Sequence, residues 1–335
     1  MADRPHALLA MSPQFLPLLF PRPLMDRLLG ALDFDPALIV EDFANPAAVA
    51  ALCETEVIVS SWGAPPLDET VLEAAPKLRA LLHAAGSVKH LVGAPVWDRG
   101  VLVASSAEAN ALPVAEYTLA TILLAGKGIF ELREDFRARR GFKLGHIHAA
   151  VGNFGRTIGV VGASKIGRRV LELLRPFDFT VLLADPYVDE AEAASLDAEL
   201  VDLDELVARA DVVTVHAPEL AETKGLIDAS RLAAMKDGAV LVNTARGKLV
   251  DTDALTAEVA SGRLSAIIDV TEPEPLPTGS PLYDLPNVYL TPHVAGSHGN
   301  ELARMGLHMV EEAERLAAEK PLQRLVDPRL LWRQA

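Results

Sequence analysis

The chain has 335 residues, half of them hydrophobic, with a formal net charge of −15 and a single cysteine. That length exceeds one typical domain and suggests two. The acidity argues against nucleic acid and against an anionic membrane surface, because both need clustered Lys and Arg. One cysteine excludes an intramolecular disulfide framework and suits a reducing cytoplasm. Cys53 itself reads as a small buried hydrophobe.

The apolar stretch 7–20 is interrupted by Pro13, Gln14 and Pro17, so no signal peptide is expected. No run approaches the roughly 20 apolar residues of a membrane span. Strand candidates occur at 6–10, 57–60, 80–83 and 101–104. A helical pattern at 109–127, continued at 129–140, leads into a mixed loop at 141–154. A second series places strands at 158–161, 180–183, 212–215, 239–242, 266–270 and 288–290. Few of these runs alternate polar and apolar, so both faces of each sheet should be covered. That is the α/β class with parallel strands. The tail at 299–320 is helical, with Leu302, Met305, Met309, Val310 and Leu316 apolar. We therefore expect two doubly wound parallel-sheet domains, Rossmann-like or flavodoxin-like, with a cleft between them. Residues 1–108 and 297–335 should form one discontinuous domain, with 109–296 inserted in it as a second.

The run Thr157–Arg168 begins the second series. A β-branched strand ends in Gly162, and a helical pattern opens through Ser164, Lys165, Ile166 and Gly167. Gly162 permits a tight turn, and Gly167 lets the helix pack closely on the sheet. The helix start offers free N–H groups to a pyrophosphate. The middle position of the usual G-x-G-x-x-G is Ser164, whose hydroxyl can meet a phosphate or whose Cβ can crowd it. Asp185 lies 18 residues after Gly167, at the end of the next strand. A carboxylate there binds ribose hydroxyls and repels a 2′-phosphate, favouring NAD over NADP. The plainer reading of Asp185 is a turn opener before Pro186.

Later strands also end in polar residues. Arg246 and Gly247 follow 239–242, Asp269 ends 266–270 ahead of Glu272 and Glu274, and His293 follows 288–290. Ligands of open α/β sheets bind at such carboxyl ends. An imidazole suits proton exchange near neutral pH, and a guanidinium can hold a carboxylate at two points.

These residues carry a resemblance. The segments Val161–Arg168, Asn243–Asp251, Asp269–Pro275 and Leu290–His293 resemble the D-isomer-specific 2-hydroxyacid dehydrogenase family, over about residues 80–330. The resemblance implies an NAD-dependent enzyme interconverting a D-2-hydroxy acid and its 2-oxo acid. It implies Arg246 as the carboxylate-binding arginine, His293 as acid/base and Glu274 as its partner, with Glu272 the alternative. It places His216, Ala217, Thr244, Ala245 and Asp269 around the nicotinamide and its ribose. It gives the backbone of Gly86, Ser87 and Val88 to the substrate carboxylate, and a homodimer as the assembly. Lys89 departs from the acidic residue common there. It is either a solvated charge or an attraction for a second anionic group.

Asn110 reads mainly as a helix N-cap. His83, His90 and His308 read as packing or surface residues, and His298 has no assigned role. His146 and His148 lack partners to complete a metal set, so no metal is expected. Two other readings remain: an NAD(H)-sensing regulator on the same fold, and a relative acting on formate or a phosphorus oxyacid.

Overall fold

The computed structural model describes residues 4–141 and 151–333. The chain divides into two compact units, residues 1–111 with 297–334, and residues 112–296.

The first unit holds a sheet of β1 (Ala7–Ala10), β2 (Ile39–Val40), β3 (Val57–Ser60), β4 (Ala80–His83) and β5 (Leu102–Ser105), in the order β2-β1-β3-β4-β5. All its strand pairs are parallel. That order is the flavodoxin-like one. The strands are solidly apolar because alternate residues enter different cores. Leu8, Ile58, Leu81 and Val103 join one buried cluster. Leu9, Val57, Val59, Ala80 and Leu82 join another on the opposite face. The tail helix Leu302–Ala317 belongs to that second cluster through Leu302, Met305, Met309, Val310 and Leu316. Gly306 lets it approach, since a Cβ there would stand 1.8 Å from the Leu19 carbonyl oxygen.

The second unit holds β6 (Thr157–Val161), β7 (Thr180–Ala184), β8 (Glu199–Leu200), β9 (Val212–Val215), β10 (Val240–Asn243), β11 (Ser265–Ile268) and β12 (Val288–Leu290). The order is β12-β11-β10-β9-β6-β7-β8, again wholly parallel. From β6 the winding proceeds to β8 on one side and to β12 on the other, the Rossmann arrangement. Val213, Val215, Leu241 and Ile268 face one core, and Ile158, Val160, Val212, Val242 and Ile267 the other. Part of the acidity serves the helices: Asp189, Asp202, Asp228 and Asp251 each cap a helix start with a carboxylate that accepts a backbone N–H.

Three sequence expectations change. The edge strands β2 and β8 have two residues each and carry no readable pattern. The long helix spans Ala107–Gly126, so Asn110 lies inside its first turn and is not its N-cap; its Oδ1 accepts the Ser297 N–H at 3.1 Å. Cys53 is exposed, not buried, because it follows the last turn of the short helix Pro46–Leu52.

Candidate active site

The second sheet switches winding direction between β6 and β9, and open α/β sheets bind ligands at that point. Gly162 leaves β6 there with φ +95°. A Cβ on it would stand 2.8 Å from the Ala217 nitrogen, and one on Gly167 2.0 Å from the Gly162 oxygen. Both glycines are therefore demanded by contact between the turn, the helix start and the end of β9. The helix Lys165–Leu174 has Ser164 as its N-cap, whose hydroxyl accepts the Gly167 N–H at 3.3 Å. Its hydroxyl proton and the first-turn N–H groups, with Lys165 and Ile166 at the helix start, can meet an anion.

Asp185 follows β7. Its two oxygens accept the Ala163 N–H at 2.7 Å and the Tyr187 N–H at 2.8 Å. The carboxylate thus braces the glycine turn, a role not visible in the spacing, and keeps further lone pairs for a diol. This turn, helix start and carboxylate fit a dinucleotide's pyrophosphate and adenosine ribose.

His216 ends β9 and is 1 % exposed. Its Nε2 lies 2.9 Å from the Thr214 hydroxyl, and burial pushes its pKa down to about 3. It is a neutral brace beneath the turn. Thr244 is buried after β10, with its hydroxyl 3.1 Å from that of Thr118. Asn243, not singled out in the sequence, accepts the Ala245 N–H at 3.1 Å and donates to the Arg246 carbonyl at 2.9 Å. An Asn at a strand end is a turn former, and here it closes the bend that presents Arg246. The Arg246 guanidinium donates to the Ala245 carbonyl at 2.6 Å.

Asp269 is 1 % exposed. One carboxylate oxygen accepts the Thr291 hydroxyl at 2.6 Å and the Val294 N–H at 2.8 Å, and the other accepts the Ala295 N–H at 2.9 Å. Its carbonyl accepts the His293 N–H at 2.8 Å. Expected beside the nicotinamide ribose, Asp269 lies under the loop that carries His293. That loop sets His293 at φ +54°. Its Nδ1 is 3.0 Å from Glu274 Oε1, with both side chains about half exposed. The Glu272 carbonyl accepts the Thr252 hydroxyl at 3.0 Å. Among the described residues, Glu274 is the carboxylate bonded to the imidazole.

The turn Gly86–Val88 belongs to the first unit, Arg246, Glu274 and His293 to the second. Val88 is buried in the core, so this turn offers backbone rather than side chain at that position. A Cβ on Gly86 would stand 3.4 Å from Asn110 Nδ2. His83 ends β4, fully buried and bonded to Ser60 at 2.9 Å. Burial, with His90 adding, pushes its pKa down to about 3. His146 and His148 lie outside the described residues. Among the described residues no cluster of His, Cys, Asp or Glu suits a metal ion.

Both sheets are wholly parallel and doubly wound, and Arg246, Glu274 and His293 follow successive strands of the second. Residues 119–295 match the family model for "D-isomer specific 2-hydroxyacid dehydrogenase, NAD binding domain", and the chain belongs to this family. It is 39% identical over 274 residues to D-3-phosphoglycerate dehydrogenase of Mycobacterium bovis, covering 80% of this chain and 50% of that protein. It is 34% identical over 250 residues to glyoxylate reductase of Korarchaeum cryptofilum, covering 74% and 75%. A solved phosphoglycerate oxidoreductase from Rhizobium etli superposes with a TM-score of 0.81 at 25% identity, covering 96% of this chain and 98% of that one. The chain spans about half the length of the phosphoglycerate dehydrogenases it matches.

Proposed function

We propose that the protein is an NAD-dependent oxidoreductase interconverting a D-2-hydroxy acid and its 2-oxo acid. The observation that carries this reading is the His293–Glu274 pair at 3.0 Å, on strand-end loops next to that of Arg246. An ionised Glu274 only accepts, so Nδ1 of His293 carries a proton and Nε2 is the exchanging nitrogen. His293 takes the substrate hydroxyl proton in one direction and returns it to the forming alkoxide in the other. Bound NAD supplies hydride exchange at the substrate C2. Arg246 holds the carboxylate and polarises the adjacent carbonyl. The backbone N–H groups of Gly86–Val88 are assigned to substrate binding, and residues 1–108 with 297–335 to the substrate domain. Asp185 favours NAD over NADP by repelling a 2′-phosphate.

A homodimer fits the exposed apolar side chains Leu124, Ile129, Phe136, Tyr283 and Tyr289. Exposed apolar side chains of this kind suit an association surface. Among the described residues no helix is long and apolar enough to cross a membrane. The cytoplasm is proposed from the lone cysteine.

The test is NADH oxidation with glyoxylate, hydroxypyruvate and pyruvate, and NAD reduction with phosphoglycerate. His293→Ala and Arg246→Ala should each lower kcat by about a thousandfold while NADH affinity stays within about threefold. Near-parental turnover in either variant overturns the assignment. NADH binding without turnover of any acid would indicate a regulator instead.

A further inference from the structure

Two adjacent residues of the helix Ala107–Gly126 reach the two loops that carry Arg246 and His293. Tyr117 Oη lies 2.8 Å from Thr291 Oγ1, and Thr118 Oγ1 lies 3.1 Å from Thr244 Oγ1. Thr291 stands two residues before His293, and Thr244 two before Arg246.

The proton directions follow from the partners. Thr291 has one hydroxyl proton and gives it to Asp269 at 2.6 Å, because a carboxylate only accepts. Tyr117 must therefore donate to Thr291. Burial pushes the Tyr117 phenol up to about 12, so the donor proton is present throughout the neutral range. On the other side, Thr118 gives its proton to the Val114 carbonyl at 2.8 Å, so Thr244 donates to Thr118. The chain Tyr117 to Thr291 to Asp269 continues through the Val294 and Ala295 N–H groups, which hold the backbone on the far side of His293. Neighbouring residues of a helix keep a fixed rise and rotation. Two hydroxyls on consecutive residues thus hold the two loops at a fixed separation.

We infer that Tyr117 and Thr118 are positioning residues that set the guanidinium of Arg246 against the imidazole of His293. This rests on the catalytic reading of Arg246 and His293. A displacement of about 1 Å at a reacting group can cost on the order of a hundredfold in rate, so the bonds matter more to turnover than to stability.

The test uses Tyr117→Phe, which removes one oxygen and keeps the ring, Thr118→Val, and Thr118→Ser as the conservative control. Tyr117→Phe and Thr118→Val should each lower kcat about tenfold with NADH affinity little changed, Thr118→Val should also raise KM for the acid because Arg246 holds its carboxylate, and Thr118→Ser should restore the parental rate. In a His293→Ala background, Tyr117→Phe should cause no further loss, because it acts through that imidazole. In an Arg246→Ala background the same holds for Thr118→Val. If Thr118→Val does not fold, Thr244→Val breaks the same bond from the other side. Parental kcat in both single variants, with His293→Ala and Arg246→Ala impaired, overturns this inference and leaves the catalytic reading standing. An undiminished Tyr117→Phe effect in the His293→Ala background also overturns it. Parental turnover in His293→Ala itself would instead defeat the catalytic reading.

Discussion

Glu274 Oε1 stands 3.0 Å from Nδ1 of His293, whereas nearby Glu272 is held through its carbonyl by the Thr252 hydroxyl. The two glutamates should separate in kinetics. Glu274→Gln keeps a polar partner but loses the charge that stabilises the imidazolium, and should lower kcat by about 10- to 100-fold. Glu272→Gln should leave it within about twofold of the parent. Steady-state rates on the two variants check this, and equal losses would dissolve the distinction.

Asp185 does two things at one place. It accepts two backbone N–H groups around the glycine turn, and in the proposed NAD preference its charge opposes a 2′-phosphate. Asp185→Ala should therefore raise the NADPH to NADH ratio of kcat/KM. It should also lower stability by about 1–3 kcal/mol, because the buried Ala163 N–H loses its acceptor. Urea unfolding and paired cofactor assays read the two effects separately. A changed preference at unchanged stability would contradict the bracing role.

Two buried histidines set an acid limit. The pKa values of His83 and His216 are pushed down to about 3 by burial, while the unfolded chain holds imidazoles near their ordinary value. The unfolded state thus binds more protons between these values. Their contribution is complete above about pH 6.5 and is lost as pH falls toward about 3, at up to about 1.4 kcal/mol per pH unit for each ring. Unfolding midpoints at pH 7.5 and 5 should differ, and His83→Gln or His216→Gln should shrink the gap. An unchanged gap in both variants would place the acid sensitivity elsewhere.

The α/β class was legible because runs such as Val57–Ser60 and Val212–Val215 are apolar at successive positions, as burial on both faces requires. The strands β2 and β8 were not, since two residues carry no periodicity. Arg246, Glu274 and His293 were legible as strand-end residues within a family pattern, but spacing alone did not separate Glu274 from Glu272. What stayed hidden is the support beneath them. Tyr117 meets Thr291 across 174 residues of sequence, and nothing local marks either as a partner. Asp269 was named in the sequence as a strand-end residue, yet its buried carboxylate holding the loop depends on the fold. Asn110 failed as a cap because the helix starts one turn earlier, and its side chain answers to Ser297.

The left-handed backbone of His293, φ +54°, has a consequence for how far this protein can be stabilised. Side-chain-bearing residues occupy that region at a cost of about 1–2 kcal/mol, which glycine escapes. His293→Gly should therefore be inactive yet more stable than His293→Ala by about 1 kcal/mol in urea unfolding. A reversed order would show that the loop relaxes when the imidazole is gone. Selection for thermal robustness alone would drive this position to glycine. With His293 in the proposed acid/base role, activity and robustness pull against each other at this position.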